Sequence, residues 1–298
     1  MNALEIRNLS KSCRGMYAVD HLDMTVPVGA IYGLIGENGS GKSTTQKLLC
    51  GHLVPDGGEI KLFGKDYRDA GVRARVGALI ENAGCFPSSS VYQNLWMQAL
   101  NLGLKDPVAE IDRVLRLVRM EEHAGLKFKA CSLGMKQRIG IAMAMLGDPA
   151  LLILDEPING LDADGMRIMR EILTDLAAKG HTVVVSSHVL SELEKVATHY
   201  GIMRGGRMLC EMTAQELDAD CRSYLALRCR DNARARNVLA SRYSVTEAGQ
   251  GLVRVYDVPC AEDAVTMLAQ HGLIVTELYS AKISLEEYYV DLIHKEVR

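Results

Sequence analysis

Eight consecutive residues, Gly36-Glu37-Asn38-Gly39-Ser40-Gly41-Lys42-Ser43, have the types and spacing of a phosphate cradle. Glycines adopt backbone angles closed to other residues, so successive N–H groups turn inward and form a nest for anionic oxygens. The apolar run Ala30–Ile35 before the cradle and a helix-compatible run from Thr44 to Leu49 after it supply the required strand–loop–helix context. The start of that helix adds its positive dipole end to the field. Gly36, Asn38, Gly39, Ser40, Gly41, Lys42, Ser43 and Thr44 are therefore the predicted binding residues for a nucleoside triphosphate. Lys42 can reach the β- and γ-phosphates as a point charge, and the Ser43 hydroxyl is placed to bind Mg²⁺.

A second constellation is Leu151-Leu152-Ile153-Leu154-Asp155-Glu156-Pro157. Four apolar residues in a row suit a strand buried on both faces of a parallel sheet. Its end carries two carboxylates. Asp155 beside the phosphates can hold Mg²⁺ through its water shell, and Glu156 is placed to polarise an attacking water. Ser132 and Gly134 open a further helix within Cys131–Arg138; taken alone, this run is no more than a helix start with an N-cap serine. His188 follows the β-branched run Thr182–Ser186, and a lone histidine there is as compatible with a structural role as with a catalytic one.

These groups need a scaffold of strands with ligand residues at their C-terminal ends. Ala3–Asn8 and His21–Val26 alternate apolar and polar residues as half-buried strands do. Pro55-Asp56-Gly57-Gly58 signals a turn into a strand at Glu59–Phe63, and Val76–Ile80 is a further apolar strand ending at Glu81-Asn82. Helical patterning runs from Val91 to Gly147. Ala163–Lys179 reads as a helix closed by Gly180, and another helix follows Ser187-His188 and extends through Val196. Strands alternating with helices give an α/β fold of the P-loop NTPase type, with a mainly parallel sheet and a helical subdomain near residues 87–147.

The character changes after Cys210. Leu225–Arg228, Ser244–Glu247, Leu252–Tyr256 and Ile274–Leu278 read as strands, with helices at Asn232–Tyr243 and Ala261–His271. The order β-α-β-β-α-β is that of a small ferredoxin-like sandwich, with a terminal helix at Ser284–His294. The expected domains are 1–215 and a small α+β domain at 216–298. Six arginines between Arg222 and Arg242 read as a solvated face.

The 298 residues are 48% hydrophobic and 24% charged, an ordinary globular composition. A net charge of −3 gives no whole-molecule attraction to nucleic acid or to an anionic membrane. The eight cysteines lack metal-ligand spacing and fit a reduced, cytoplasmic protein. The first seven residues have no signal-peptide core, and the weakly polar stretch Ile139–Gly147 is too short to span a bilayer. Any membrane role is expected to come through a partner.

Over residues 3–215 the chain resembles the ATP-binding subunit of ATP-binding-cassette (ABC) transporters, with five motifs in the family's order. Gly36–Ser43 is similar to Walker A, Leu151–Glu156 to Walker B and Cys131–Gln137 to the signature. Asn159–Asp162 is similar to the D-loop, and His188 to the switch histidine. The exporter group for bacitracin and lantibiotic-type peptides is the most similar. Its signature commonly reads Ser-Leu-Gly-Met-Lys-Gln, as Ser132–Gln137 does here, and Leu-Ile-Glu-Asn follows the lobe's strand, as at Leu79–Asn82.

The resemblance implies a homodimer of ATP-binding subunits that sandwiches two ATP molecules, with Mg²⁺ at Ser43 and Asp155. Ser132 and Gly134 of one copy would complete the other copy's site, Asp162 would link the two sites, and His188 would contact the γ-phosphate. It also implies a transmembrane permease partner and a peripheral position on the cytoplasmic face of the cell membrane. The alternative is a soluble cassette ATPase acting on nucleic acid or ribosomes, a type with a coiled-coil insertion or a second cassette. This sequence has one P-loop and one signature. A P-loop kinase or GTPase fits poorly with Glu156 beside Asp155.

The sequence departs from the wider family in three places. Glu81 stands where many relatives have the Q-loop glutamine, and is predicted as a further catalytic and metal-binding residue. Leu133 and Met135 replace the general signature's glycine and glutamine. Cys13 stands at the aromatic position that stacks on adenine, which makes Tyr17, four residues on, the candidate replacement. Phe86, Tyr92 and Trp96 follow Glu81; they read either as core or as a docking cluster for a partner helix.

Overall fold

The computed structural model describes residues 1–248 and 251–296. The chain forms two compact units that divide after Ala214. The first begins with β1 (Asn2–Cys13) and β2 (Met16–Pro27), followed by β3 (Ile31–Ile35) and α1 (Lys42–Leu49). Next come β4 (Gly57–Leu62), β5 (Lys65–Asp66), α2 (Ala70–Arg73) and β6 (Val76–Leu79). A helical segment holds α3 (Val91–Asn101), α4 (Pro107–Leu117) and α5 (Leu133–Met145). The unit continues through β7 (Leu151–Leu154), α6 (Ala163–Ala178), β8 (Thr182–Ser186), α7 (Leu190–Leu193), β9 (His199–Arg204) and β10 (Arg207–Thr213).

Two sheets result. One is antiparallel, in the order β2-β1-β4-β5. In β1, Leu4 and Ile6 are buried while Arg7 is exposed, the period of two read in the sequence. The other has the order β10-β9-β3-β8-β7-β6, parallel throughout except for the β9–β10 pair. Every residue of β3, β7 and β8 is buried, because helices and the antiparallel sheet cover both faces.

Several boundaries differ from the sequence expectation. β1 and β2 run on to a tight hairpin at Arg14-Gly15, with φ of 53° and 82°. Two successive left-handed residues match the twist of the strands they join. The strands β9 and β10 were not expected at all; they turn at Gly205-Gly206, with φ of 54° and 83°. The helix expected after Ser187-His188 and through Val196 is the single turn α7, and Val189 at its start offers no side-chain cap.

The helices of the expected helical subdomain start on identifiable caps. Ser90 and Gln93 form a reciprocal capping box for α3. The Asp106 carboxylate accepts from the N–H of Ala109 at the start of α4, where Pro107 needs no donor.

The second unit contains α8 (Ala214–Asp220), which straddles the division, then β11 (Ser223–Cys229) and α9 (Asn232–Ala240). It continues with β12 (Ser244–Ala248), β13 (Leu252–Tyr256), α10 (Ala261–Gln270), β14 (Val275–Lys282) and α11 (Leu285–Glu296). Its sheet has the order β12-β13-β11-β14 with every neighbouring pair antiparallel, a ferredoxin-like arrangement. Leu225, Leu227, Val253 and Val255 cover one face and pack on Leu239 and Leu268 of the helices. Of the six arginines, Arg228 pairs with Glu277 at 3.3 Å and Arg236 with Glu247 at 2.9 Å. These are surface pairs, and each contributes little to stability.

Candidate functional site

The cradle Gly36–Gly41 leaves β3 and enters α1. Gly39 and Gly41 have φ of 82° and 106°, the left-handed region in which a side chain is strained. Space is equally demanding. A Cβ on Gly41 would stand 2.4 Å from the Ala18 carbonyl oxygen, and one on Gly36 would stand 2.6 Å from that of Met203. The β9–β10 turn closes the other side, where the Gly206 N–H donates to the Ser40 carbonyl at 2.9 Å. Ser40 Oγ is buried and has no hydrogen-bond partner among the described residues, which leaves its O–H to donate to a phosphate oxygen. Asn38 is exposed at the turn of the loop, and Thr44 follows Ser43 in α1.

Lys42 is 6% exposed and donates to the Gly36 and Glu37 carbonyls at 2.6 and 3.1 Å. Burial pulls its ammonium below the usual lysine range, while the charges of Glu156 and Asp155 act in the opposite sense. An anion in the cradle would favour the charged form of Lys42.

Asp155 extends from β7 toward α1. Its Oδ1 accepts from Ser43 Oγ at 3.3 Å and from Ser186 Oγ at 2.7 Å. A hydroxyl and a carboxylate oxygen thus face each other beside the cradle. Hard oxygen donors completed by phosphate oxygens and water are the set that Mg²⁺ prefers, so the residues fit the ion. Glu156 has φ 49°, an uncommon conformation for this residue. Its N–H donates to Ser186 Oγ at 2.9 Å, and its carboxylate lies 2.8 Å from His188 Nδ1. Lys42, Ser43, Asp155, Glu156 and His188 are therefore brought together.

Other predicted residues lie around this centre. Ser132 caps α5 by accepting from the Met135 N–H at 3.2 Å, and a Cβ on Gly134 would stand 3.6 Å from Leu161. The Asp162 carboxylate caps α6, accepting from the Gly165 N–H at 2.8 Å. Tyr17 is 60% exposed on β2, one residue from the Ala18 carbonyl that abuts Gly41. Cys13, across the hairpin, is exposed. The Glu81 carboxylate meets Lys47 Nζ at 2.6 Å, and this hydrogen bond holds it below the usual carboxylate range. Glu81 has no hydrogen bond with Ser43 or Asp155 of the kind Ser186 makes. Phe86 is 59% exposed, and Tyr92 stacks on Trp96 with centroids 6.1 Å apart.

Sequence reasoning missed Ser186, Gly206 and Lys47. A hydroxyl ending the buried β-branched run Thr182–Ser186 is a signal that something polar waits there. The Gly205-Gly206 dipeptide is a hairpin signal that also marked a wall of the cradle.

A parallel sheet whose strand ends carry a phosphate cradle, a metal-competent carboxylate and a Glu–His pair defines a P-loop ATPase. The ABC transporter family profile matches residues 19–159. The bacitracin transport ATP-binding protein BcrA of Enterococcus faecalis is 35% identical over 298 residues, covering 97% of this chain and 96% of that protein. The lantibiotic transport ATP-binding protein SrtF of Streptococcus pyogenes is 37% identical over 208 residues, covering 70% and 90%. A solved ATP-binding subunit of an ABC transporter superposes with a TM-score of 0.65 at 29% identity, covering 73% of this chain and 92% of that one. The chain belongs to the ATP-binding subunits of ABC transporters. It is an ATPase. No helix among the described residues is long and apolar enough to cross a membrane.

Proposed function

We propose that this chain hydrolyses MgATP in a site shared between two copies and so powers a membrane exporter of antimicrobial peptides of the bacitracin or lantibiotic type. The observation that carries the reading is the convergence of Lys42 and Ser43 with Asp155, Glu156 and His188 on one end of the parallel sheet. The cargo rests on the names of the relatives, two of which transport bacitracin or a lantibiotic.

In this reading the ATP-binding domain covers 1–215 and the small α+β domain 216–298. The nest from Gly36 to Gly41, with Asn38 and Ser40, grips the phosphates; Lys42 neutralises their charge, Thr44 lies at the helix start beneath them, and Tyr17 stacks on adenine. Mg²⁺, held by Ser43 and Asp155, would draw charge from the β- and γ-phosphates. Glu156 polarises the attacking water, while His188 fixes the Glu156 carboxylate and reaches the γ-phosphate. Ser132 and Gly134 of a second copy present the start of α5 to the nucleotide, and Asp162 connects the two sites. Glu81 senses the γ-phosphate, and the segment from Asn82 to Trp96 passes that state to a transmembrane permease on the cytoplasmic face.

The test is protection of a sensitive bacterial host that expresses this chain with its permease. Growth in bacitracin and in a lantibiotic is compared for the parent and Glu156→Gln. The reading expects the parent to raise the tolerated concentration of at least one peptide and Glu156→Gln to abolish the gain. Equal protection by both proteins would separate the chain's ATPase from peptide export.

A further inference from the structure

Glu81 adds a negative charge where an amide would be neutral, and the fold places its backbone just past β6, the strand beside the one that leads to Asp155. The Asp155 N–H donates to the Leu79 carbonyl at 2.8 Å, joining the ends of β6 and β7. Glu81 lies only two residues beyond Leu79, with φ 60°, so its backbone is held in an uncommon left-handed conformation at this edge. Asp155 and Glu156 already act on the buried Lys42 ammonium with two negative charges, and Glu81 adds a third carboxylate at the neighbouring strand end. A triphosphate carries several negative charges of its own, and like charges gathered at one site oppose its binding.

α1 carries two lysines, and they divide the charge between them. Lys42, at the start of the helix, is turned into the cradle and hydrogen-bonded to two loop carbonyls. Lys47 lies five residues on, about 7.5 Å along the axis. Its Nζ stands 2.6 Å from Glu81 Oε1, a distance of a strong charge-assisted hydrogen bond. The Lys47 side chain is 32% exposed and that of Glu81 62%, so neither is locked by packing and the pair itself sets the direction of the carboxylate. The neighbouring residue Gln46 is wholly buried and donates to the Leu154 carbonyl at 3.2 Å, which pins this turn of α1 to the strand that carries Asp155. The base of Lys47 is thus fixed relative to the site while its tip is left to pair.

We propose that Lys47 is the positioning residue of Glu81: it fixes where the carboxylate stands and cancels its charge beside Asp155 and the triphosphate site. The inference rests on the reading of Glu81 as part of the ATP site. Lys47 does not touch the nucleotide in this scheme. Its effect is transmitted through one side chain, 34 residues away in sequence, and a substitution of Lys47 should matter only while residue 81 is charged.

The test is a double-substitution cycle on the full chain with four proteins: the parent, Lys47→Met, Glu81→Gln and the double variant. ATP affinity is measured by calorimetric titration with Mg²⁺ and again with EDTA, alongside kcat, KM and the melting temperature. Lys47→Met should weaken MgATP binding and raise KM about threefold, the scale of an exposed charge pair, with a smaller change in kcat. Glu81→Gln should bind at least as tightly as the parent. The double variant should bind as Glu81→Gln does, because no uncompensated carboxylate remains. Recovery of affinity in the double variant also shows that methionine at position 47 does not unfold α1. An equal loss in both backgrounds would mean that Lys47 acts on its own, and parent-like affinity of Lys47→Met would mean that it has no role. Both results overturn the proposal. Failure of the underlying reading gives a different pattern, in which Glu81→Gln hydrolyses ATP at the parent kcat while the affinity cycle still shows coupling.

Discussion

The Nδ1 atom of His188 lies 2.8 Å from Oε2 of Glu156, and the His188 backbone N–H points to the same oxygen at 3.3 Å. Two donors on one oxygen fix the rotamer of the carboxylate and leave its second oxygen for a water. Glu156 makes this pairing at an unusual φ of 49°, just past the end of β7, with a residue just past the end of β8. His188→Ala should therefore lower kcat by about 10- to 100-fold. ATP affinity, measured by titration, should change much less. A kcat within twofold of the parent would remove this pair from the chemistry.

Ser186 ties the Asp155 carboxylate to the Glu156 backbone. Its hydroxyl donates to Asp155 and accepts from the Glu156 N–H, and the residue is wholly buried. Ser186→Ala removes both bonds and leaves the half-buried Glu156 N–H without its partner, at a cost of about 1 kcal/mol or more. The melting temperature should fall, and half-saturation by Mg²⁺ should move to higher concentration because Asp155 is less firmly held. Unchanged stability and Mg²⁺ dependence would show that water replaces the hydroxyl.

Tyr17 is the candidate base-stacking residue. Its neighbour Ala18 abuts Gly41, and the ring is exposed at the edge of the cradle. Tyr17→Ala should weaken ATP binding about fivefold, the scale of one aromatic stack, and Tyr17→Phe should restore it. The phosphate contacts remain, so affinity for inorganic triphosphate should not move. Parent-like ATP affinity of Tyr17→Ala would place the adenine elsewhere.

The shared site predicts a nucleotide-dependent assembly. Glu156→Gln should dimerise with ATP and remain monomeric with ADP, as read by sedimentation. Adding Ser132→Arg should abolish the dimer, because a bulky cation would occupy the anion site at the start of α5. Equal monomer content with ATP and ADP would count against a nucleotide sandwich.

How much of this was legible in the sequence depends on how local each feature is. The cradle and the Leu151–Glu156 strand carry their information in contiguous residues, and the α/β class followed from the strand–helix alternation around them. The hairpin at Arg14-Gly15 was hidden because arginine is an unusual occupant of a left-handed turn position, here with φ 53°. The hairpin β9–β10 was hidden by mixed polarity, since β10 is only partly buried. Contacts across long sequence separations were out of reach. Ser186 meets Asp155 across 31 residues, and Lys47 meets Glu81 across 34. Each pair depends on how adjacent elements align in space, which no local pattern records.

The most direct measurement of the central claim compares ATP binding with steady-state ATP hydrolysis in Lys42→Ala and Glu156→Gln. The account predicts that Lys42→Ala loses affinity, because the buried ammonium is the charge that meets the phosphates. It predicts that Glu156→Gln binds ATP as the parent does and that its hydrolysis is slowed by about 10²-fold or more. Hydrolysis by Glu156→Gln at the parent rate would contradict the account.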